Sequence, residues 1–400
     1  MQLVTGLFTL AGATGILVTI PSALELLLVT TGALRRQTSL NTEANCNRSL
    51  AVIVPAHNEE KLVGRCVLSL REAAAKSPNI SIVVVADNCT DNTADCARQA
   101  GARVLVRTNP ENRGKGFALR FAFQELLKEP FTGFVIVDAD STVSANFFHE
   151  VSGSLASGAE ALQTRYRVAP PLNTRRKQLM DVAFLAFNVL RPRGRDGYGL
   201  SAGILGNGFA LSRQTLLDVP YSADSIVEDL EYHLLLVKAG KRVVFLDRAT
   251  VYGDMPDDVE AQTSQRARWE GGRAAVMRMN AGALAIRVLK GQMRTLEPLL
   301  ELLTLPLAYL FILAVALCAI PLGLFRFYGF FLSGLMIAHV CSSIALSGNA
   351  KSSFKGLLEA PMYLLWKVTK MTTIIKASRR ETPWLRTKRS EDSRSEMRNV

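Results

Sequence analysis

The sequence predicts an α/β protein in which a Rossmann-like, mostly parallel sheet is held between one N-terminal and two C-terminal transmembrane helices. Three observations carry that reading. Between residues 49 and 140 short apolar runs alternate with stretches of helical spacing, the pattern of strands joined by crossover helices. Near both ends, charge-free runs exceed the roughly 20 residues that cross a hydrocarbon core. The basic residues collect on one side of those runs, which gives the chain an orientation.

From Met1 to Leu34 the only charge is Glu25, and Pro21 is a second irregularity. A cleaved leader needs a positive start and an apolar core of about 7–15 residues before a small-residue site. This stretch has neither, so residues 1–36 are expected to stay as a transmembrane anchor. Leu302–Phe325 and Phe327–Ala350 are two further charge-free runs divided by Arg326, and residues 301–350 read as a transmembrane hairpin. Arg35 and Arg36 follow the first span and nothing positive precedes it, so the N-terminus is expected outside. Residues 351–400 hold 12 Lys/Arg against 5 Asp/Glu, which places this tail, with an interfacial helix in it, in the cytosol beside the middle domain. The expected location is a multi-pass plasma-membrane protein with a cytosolic catalytic domain. Much of the net charge of +12 lies in that tail. It suits anionic headgroups, and nucleic acid is not an expected partner because no nucleic-acid module accompanies the charge.

The six cysteines form no CxxC pair and have no histidine at zinc spacing, so they read as reduced and structural. His149, His233 and His339 lack metal-ligand spacing and read as structural too.

In the middle domain, residues 49–54 form a buried strand stopped by Pro55, and a helix follows with Leu62, Cys66, Leu70 and Ala73 on one face. ISIVVVAD is the next strand, NTADCARQAG a helix closed by Gly101, ARVLVRT a third strand, GFALRFAFQELLKE a helix and FVIVDAD a strand. Ligands of such sheets bind beyond the carboxyl ends of the strands. There the chain places His57, Asn58 and Glu59, then Asp87 and Asn88, then Asp138 and Asp140.

Two carboxylates two residues apart, Asp138 and Asp140, suit a hard divalent cation shared with a diphosphate. An Asp pair after a strand is also a common turn or helix cap. Gln265, Arg268 and Trp269, if helical, lie at i, i+3 and i+4 and face one way. They present an amide, a guanidinium suited to phosphate and an indole suited to a sugar face. Residues 274–300 read as an amphipathic interfacial segment.

VIVPAHNEE, VVVADNCTDNT, NRGKGFAL, VIVDAD, GNGFALSR, IVEDLEYHL and QRARW occur in that order. This set resembles the family 2 glycosyltransferases of GT-A fold over residues 47–273, most closely the membrane branch of cellulose, chitin, hyaluronan and poly-N-acetylglucosamine synthases. The tail segment from Trp384 to Arg389 is similar to the basic ends of some members. The resemblance implies that Pro55, Ala56, His57 and Glu59 hold the nucleoside, that Asp87 meets the uracil, and that Lys115 lies near the nucleotide. His57 stands where an aromatic is common and is equally a surface histidine; Lys115 is otherwise a solvated loop charge. The resemblance further implies that Asp138 and Asp140 hold Mg²⁺ or Mn²⁺ and that Arg268 grips the diphosphate. Asn207 and Gly208 border the acceptor, in a stretch that is equally a tight turn, and Gln265, Arg268 and Trp269 line its site. Asp229 matches the catalytic base, with Glu228 and Glu231 supporting or exposed.

The expected function is inverting transfer of a hexose or N-acetylhexosamine from a UDP-sugar to a glycan or lipid-linked acceptor at the bilayer. A processive synthase is the alternative within the class, and it would need oligomerisation or an export partner, since three spans can hardly wall a polymer-filled pore. A sugar-nucleotide-binding scaffold with a dead site would lack catalytic acids, whereas Asp138, Asp140 and Asp229 are present. A transporter is disfavoured because the apolar runs lack paired charges.

Overall fold

The computed structural model describes residues 2–35, 48–77, 79–223, 225–255 and 259–369, without the side chains of residues 259–268 and 368. Cys46 and the expected basic segment Trp384–Arg389 lie outside the described residues. In chain order the elements are α1 (Gln2–Gly32), β1 (Leu50–Ala56), α2 (Val63–Ala74), β2 (Ile80–Asp87), α3 (Thr93–Gln99), β3 (Arg103–Arg107), α4 (Lys115–Leu126), β4 (Gly133–Ile136), β5 (Ser141–Val143), α5 (Phe147–Ala156) and β6 (Ala161–Val168). Then come α6 (Arg175–Phe184), a π-helical stretch (Leu185–Leu190), α7 (Arg191–Gly197), β7 (Phe209–Ser212), α8 (Arg213–Asp218), α9 (Glu228–Lys238), β8 (Val243–Gly253) and α10 (Val259–Leu289). After a 3₁₀ turn (Met293–Thr295) follow α11 (Leu296–Leu303), α12 (Leu307–Ala319), α13 (Gly323–Ala345), α14 (Ala350–Leu357) and α15 (Ala360–Thr369).

The chain forms two compact units, one of Met1–Gln37, Thr174–Leu200 and Val276–Met371, the other of Thr38–Asn173, Ser201–Ala275 and Thr372–Val400. The expected catalytic domain 47–273 is therefore interrupted, because residues 174–200 pack with the apolar helices.

The second unit holds an eight-stranded sheet of order β3-β2-β1-β4-β7-β6-β8-β5. Leu50–Val54 are fully buried, as a central strand covered on both faces requires, and each such side chain contributes about 1.5–3 kcal/mol on burial. β1, β2, β3 and β4 pair in parallel, as the alternation implies. The other half corrects the expectation of a mostly parallel sheet. β7 runs antiparallel to both β4 and β6, β6 and β8 are parallel, and β5 is antiparallel to β8. Reversing β7 brings its entry, Gly206-Asn207-Gly208, to the same edge as the exits of β1, β2 and β4.

In the helical unit, α1 and α13 are long and apolar enough to cross a membrane, and the segments Met293–Leu303 and Leu307–Ala319 bend by 78°, so among the described residues the candidate spans number two, or three if that pair is one broken span. The expected straight span over Leu302–Phe325 is not formed. α12 has 13 residues, a length of about 20 Å. Glu25, an irregularity in the sequence, is fully buried and paired. Arg195 Nη2 donates to Glu25 Oε1 at 2.8 Å, with Glu297 Oε1 at 2.5 Å from Nε and Glu301 Oε2 at 3.2 Å from Nη1. α7 reaches α1 closely enough for this because glycines meet there: a Cβ on Gly194 would strike the Val29 carbonyl, and one on Gly32 the Gly194 carbonyl. The π-helical stretch just before suits Pro192, which has no N–H to give a regular α-turn. An apolar run carrying an acid thus has its paired charge, supplied by a segment outside the runs.

Replacing Arg195 with Met strands three buried carboxylates and is expected to lower stability by about 3–5 kcal/mol, with Glu301→Gln costing much less. Thermal unfolding of the detergent-purified variants checks this, and an unchanged midpoint for Arg195→Met would refute it.

Candidate active site

The expected site residues come from seven places in the sheet unit. β1 delivers Pro55 and Ala56 in register with Val85 and Ala86 of β2, so His57 and Asp87 emerge side by side. The His57 Nδ1 lies 2.7 Å from the Asp87 carbonyl oxygen. Asn58 turns the chain with φ 54°, its Oδ1 accepting the Thr90 N–H at 2.8 Å, and the Glu59 N–H donates to Thr93 Oγ1 at 2.8 Å.

The Asp87 carboxylate is buried, and its Oδ1 accepts from Arg107 Nη1 at 2.5 Å and Asn88 Nδ2 at 3.1 Å. Arg107 ends β3, which pairs it in register with Asp87. Sequence reasoning missed this ion pair, although an arginine closing a strand beside an acid-ending strand is a usable signal. Such a carboxylate is held rigidly at one oxygen.

The turn from Asp138 to Ser141 is the next part. The Ser141 N–H donates to the Asp138 carbonyl at 3.0 Å, Ser141 Oγ donates to Asp140 Oδ1 at 2.9 Å, and Arg65 Nη2 reaches both the Asp140 carbonyl at 3.1 Å and Asp254 Oδ2 at 2.5 Å. Asn207 clamps both ends of it. Its Oδ1 accepts the Asp138 N–H at 3.1 Å and its Nδ2 donates to Ser141 Oγ at 2.8 Å. The Asn207 carbonyl in turn accepts from Gln163 Nε2 at 2.8 Å. Asn207 is 1% exposed, so the expected contact with an acceptor is corrected: the amide is consumed inside the protein. Gly208 is buried as well, with φ 69°, and a Cβ there would collide with Thr164 and Val251.

Asp138 and Asp140 suit a divalent cation by the chemistry of the donor set. Cys66, whose thiol donates to the Asp138 carbonyl at 3.5 Å, is pushed far up by burial and then by the Asp140 and Asp138 charges, so it offers no thiolate. Carboxylate oxygens are the donors that Mg²⁺ and Mn²⁺ take, and among the described residues there is no group of three or more His, Cys, Asp or Glu that could hold a metal ion.

Lys115, first residue of α4, pairs with Asp138 and donates to the Gly206 carbonyl at 2.6 Å. Burial would lower its pKa, but Asp138 and Glu228 outweigh burial and hold it above the usual value. Asp229 begins α9, and a Cβ added to Gly206 would lie 3.1 Å from its Oδ2. Burial raises the Asp229 pKa, while the Leu230 N–H, donating at 2.8 Å, and Lys115 oppose the rise. Glu228 is buried, and desolvation together with the Asp229 charge pushes it up to about 8. It is therefore not one of the exposed acids. Glu231 instead accepts the Ser225 N–H at 3.3 Å. Sequence reasoning also missed Tyr221, packed 4.6 Å from the Tyr232 ring, whose buried hydroxyl has no hydrogen-bond partner among the described residues.

Gln265, Arg268 and Trp269 lie in α10 as expected. The side chains of Gln265 and Arg268 lie outside the described residues, and Trp269 is 42% exposed. Gly272, farther along α10, abuts Val227 at the start of α9.

A family model described as "Glycosyltransferase like family 2" matches residues 47–272. Among curated proteins the chain is similar to the probable glycosyltransferase YdaM of Bacillus subtilis, 24% identical over 237 residues, which are 57% of this chain and 56% of YdaM. It is also similar to 4,4'-diaponeurosporenoate glycosyltransferase of Staphylococcus haemolyticus, 28% identical over 29% of this chain and 30% of that protein. The chain thus spans about half the length, or less, of these two relatives. Of solved structures, the mannosyltransferase PcManGT from Pyrobaculum calidifontis, in complex with GDP-Man and Mn²⁺, superposes with a TM-score of 0.53 at 18% identity, covering 83% of this chain and 98% of that one. That likeness concerns the fold. Since the family match takes in more than half of its residues, the chain belongs to glycosyltransferase family 2, with an α/β GT-A-like fold built on a mixed sheet.

Proposed function

We propose that this protein is an inverting glycosyltransferase of the membrane-bound branch, moving a hexose or N-acetylhexosamine from a UDP-sugar to a membrane-presented or lipid-linked glycan acceptor. The observation that carries the reading is the gathering of Asp87, Asp138, Asp140, Lys115 and Asp229 at one sheet edge, with Lys115 facing both Asp138 and Asp229. Two or three candidate spans support the membrane setting, with the N-terminus outside and the sheet unit in the cytosol.

In this reading the oxygen of Asp87 not held by Arg107 and Asn88 accepts from the base. Asp138 and Asp140 hold Mg²⁺ or Mn²⁺, which when bound neutralises charge on the leaving diphosphate. Asp229 takes the proton of the acceptor hydroxyl as that oxygen forms its bond to the anomeric carbon. The bond from that carbon to the diphosphate oxygen breaks on the opposite face, UDP departs, and the configuration inverts. Desolvation and the Asp229 charge favour the protonated form of Glu228, which leaves Asp229 as the acceptor. Trp269 and its helix face supply the sugar contact.

Asp229→Asn keeps the shape and loses the base; transfer is expected to fall by about 10²–10⁴-fold with UDP and Mn²⁺ binding nearly unchanged by calorimetry. Near-normal turnover would sink the assignment. Because burial raises the Asp229 pKa, wild-type kcat/KM is expected to fall with acidification through a midpoint above that of an ordinary aspartate.

Asp140→Ala is expected to abolish cation-dependent UDP binding and transfer together. Full wild-type activity in excess chelator would contradict the metal.

With so few spans, the isolated enzyme is expected to add one sugar or a few, because polar groups of a growing chain would lie unshielded in lipid. Sizing the product in reconstituted vesicles checks this; a long glycan trapped inside vesicles holding only this protein would show a processive synthase.

A further inference from the structure

Lys115 is a local contradiction. A cation at the first position of a helix is opposed by the helix dipole, which favours anions there, and α4 carries no acid in its first turn to offset it. Residues that break a local rule inside a site are kept for what they do there. Its ammonium spans two strand-end loops, pairing with Asp138 and donating to the Gly206 carbonyl at 2.6 Å. The acids that act on it are Asp138, Glu228 and Asp229. It lowers the proton affinity of the last two, so it is their shared counter-charge.

We propose that Lys115 is the resident counter-ion of the donor site in the free enzyme, pairing with the Asp138 carboxylate so that a divalent cation enters only together with a nucleotide diphosphate. The inference rests on the reading of Asp138 and Asp140 as cation ligands. In the free enzyme a cation arriving alone must displace an ammonium already paired and hydrogen-bonded, and it gains only two carboxylates. A diphosphate changes the balance. It offers the ammonium new anionic oxygens, and the flexible four-carbon stem lets the charge move from Asp138 to phosphate while staying near Asp229. Asp138 is then relieved of the ammonium, and the diphosphate supplies further oxygens of the kind a divalent cation takes. Lys115 thereby acts as a positioning residue that couples donor loading to the readiness of Asp229, and the site does not collect free cations.

Calorimetry on the full chain in detergent tests this, titrating Mn²⁺ with and without saturating UDP into wild type, Lys115→Met and Lys115→Arg. Wild type is expected to bind Mn²⁺ at least about tenfold more tightly with UDP than without it. Lys115→Met is expected to bind Mn²⁺ alone at least about tenfold more tightly than wild type, since loss of the ammonium removes a positive charge beside Asp138, and to bind UDP with Mn²⁺ more weakly. Lys115→Arg, which keeps the charge, is expected to resemble wild type toward Mn²⁺ alone. Equal affinity of wild type and Lys115→Met for Mn²⁺ alone overturns the counter-ion role, and if Asp140-dependent binding of Mn²⁺ with UDP persists the donor-site reading survives. Wild-type Mn²⁺ affinity that is the same with and without UDP overturns it regardless of how the variants fold. Absence of Mn²⁺ binding to wild type even with UDP removes the cation-site reading and the proposal with it.

Discussion

The buried amide of Asn207 is the contact on which the site depends. One side chain meets the Asp138 N–H and the Ser141 hydroxyl, and so fixes both ends of the turn that carries the two acids. It can do so because β7 runs antiparallel to β4; a parallel strand would enter the sheet at the opposite edge. The Gln163 and Thr164 bonds to the Asn207 and Gly208 carbonyls extend the hold into β6. These bonds tie Asn207 to the turn and to β6, and a half-satisfied version of such a buried polar group would be costly.

Charge is the second constraint. Asp138, Glu228 and Asp229 converge with Lys115 between them, and desolvation makes each unpaired negative charge expensive. Two devices relieve this: desolvation favours the protonated form of Glu228, and the neighbouring acids favour the charged form of Lys115 against burial. The helical unit handles the same difficulty differently, surrounding Arg195 with Glu25, Glu297 and Glu301. In both places a buried ion joins segments distant in sequence, and its removal leaves its partners stranded.

The legible part of the fold was what local pattern encodes. The first four strands, their helices and the acids at their ends follow from apolar runs and stop signals within a few residues. The antiparallel half was not legible, since the order β4-β7-β6-β8-β5 depends on pairings that no window contains. Asn207 shows why site residues can be misread: between two glycines it looks like an exposed loop, yet its partners lie 69 and 66 residues away. Glu25 looked like a flaw in an apolar helix because its arginine lies 170 residues on. Arg107 went unnoticed because its signal needs the pairing of β2 with β3 to be known first, and Tyr221 because a buried hydroxyl leaves no motif. Glu228 was underrated because the burial that raises its pKa is a property of packing.

The proposed reaction at this strand-end site passes sugar from a nucleotide donor to an acceptor presented at the membrane. The most direct measurement supplies the purified, lipid-reconstituted protein with radiolabelled UDP-hexoses and UDP-N-acetylhexosamines in turn and follows label into solvent-extractable lipid and into polymer. Consumption of one donor with label entering the lipid fraction, abolished by Asp229→Asn, is the expected result. No donor consumed above the Asp229→Asn background, across the whole set, would contradict it.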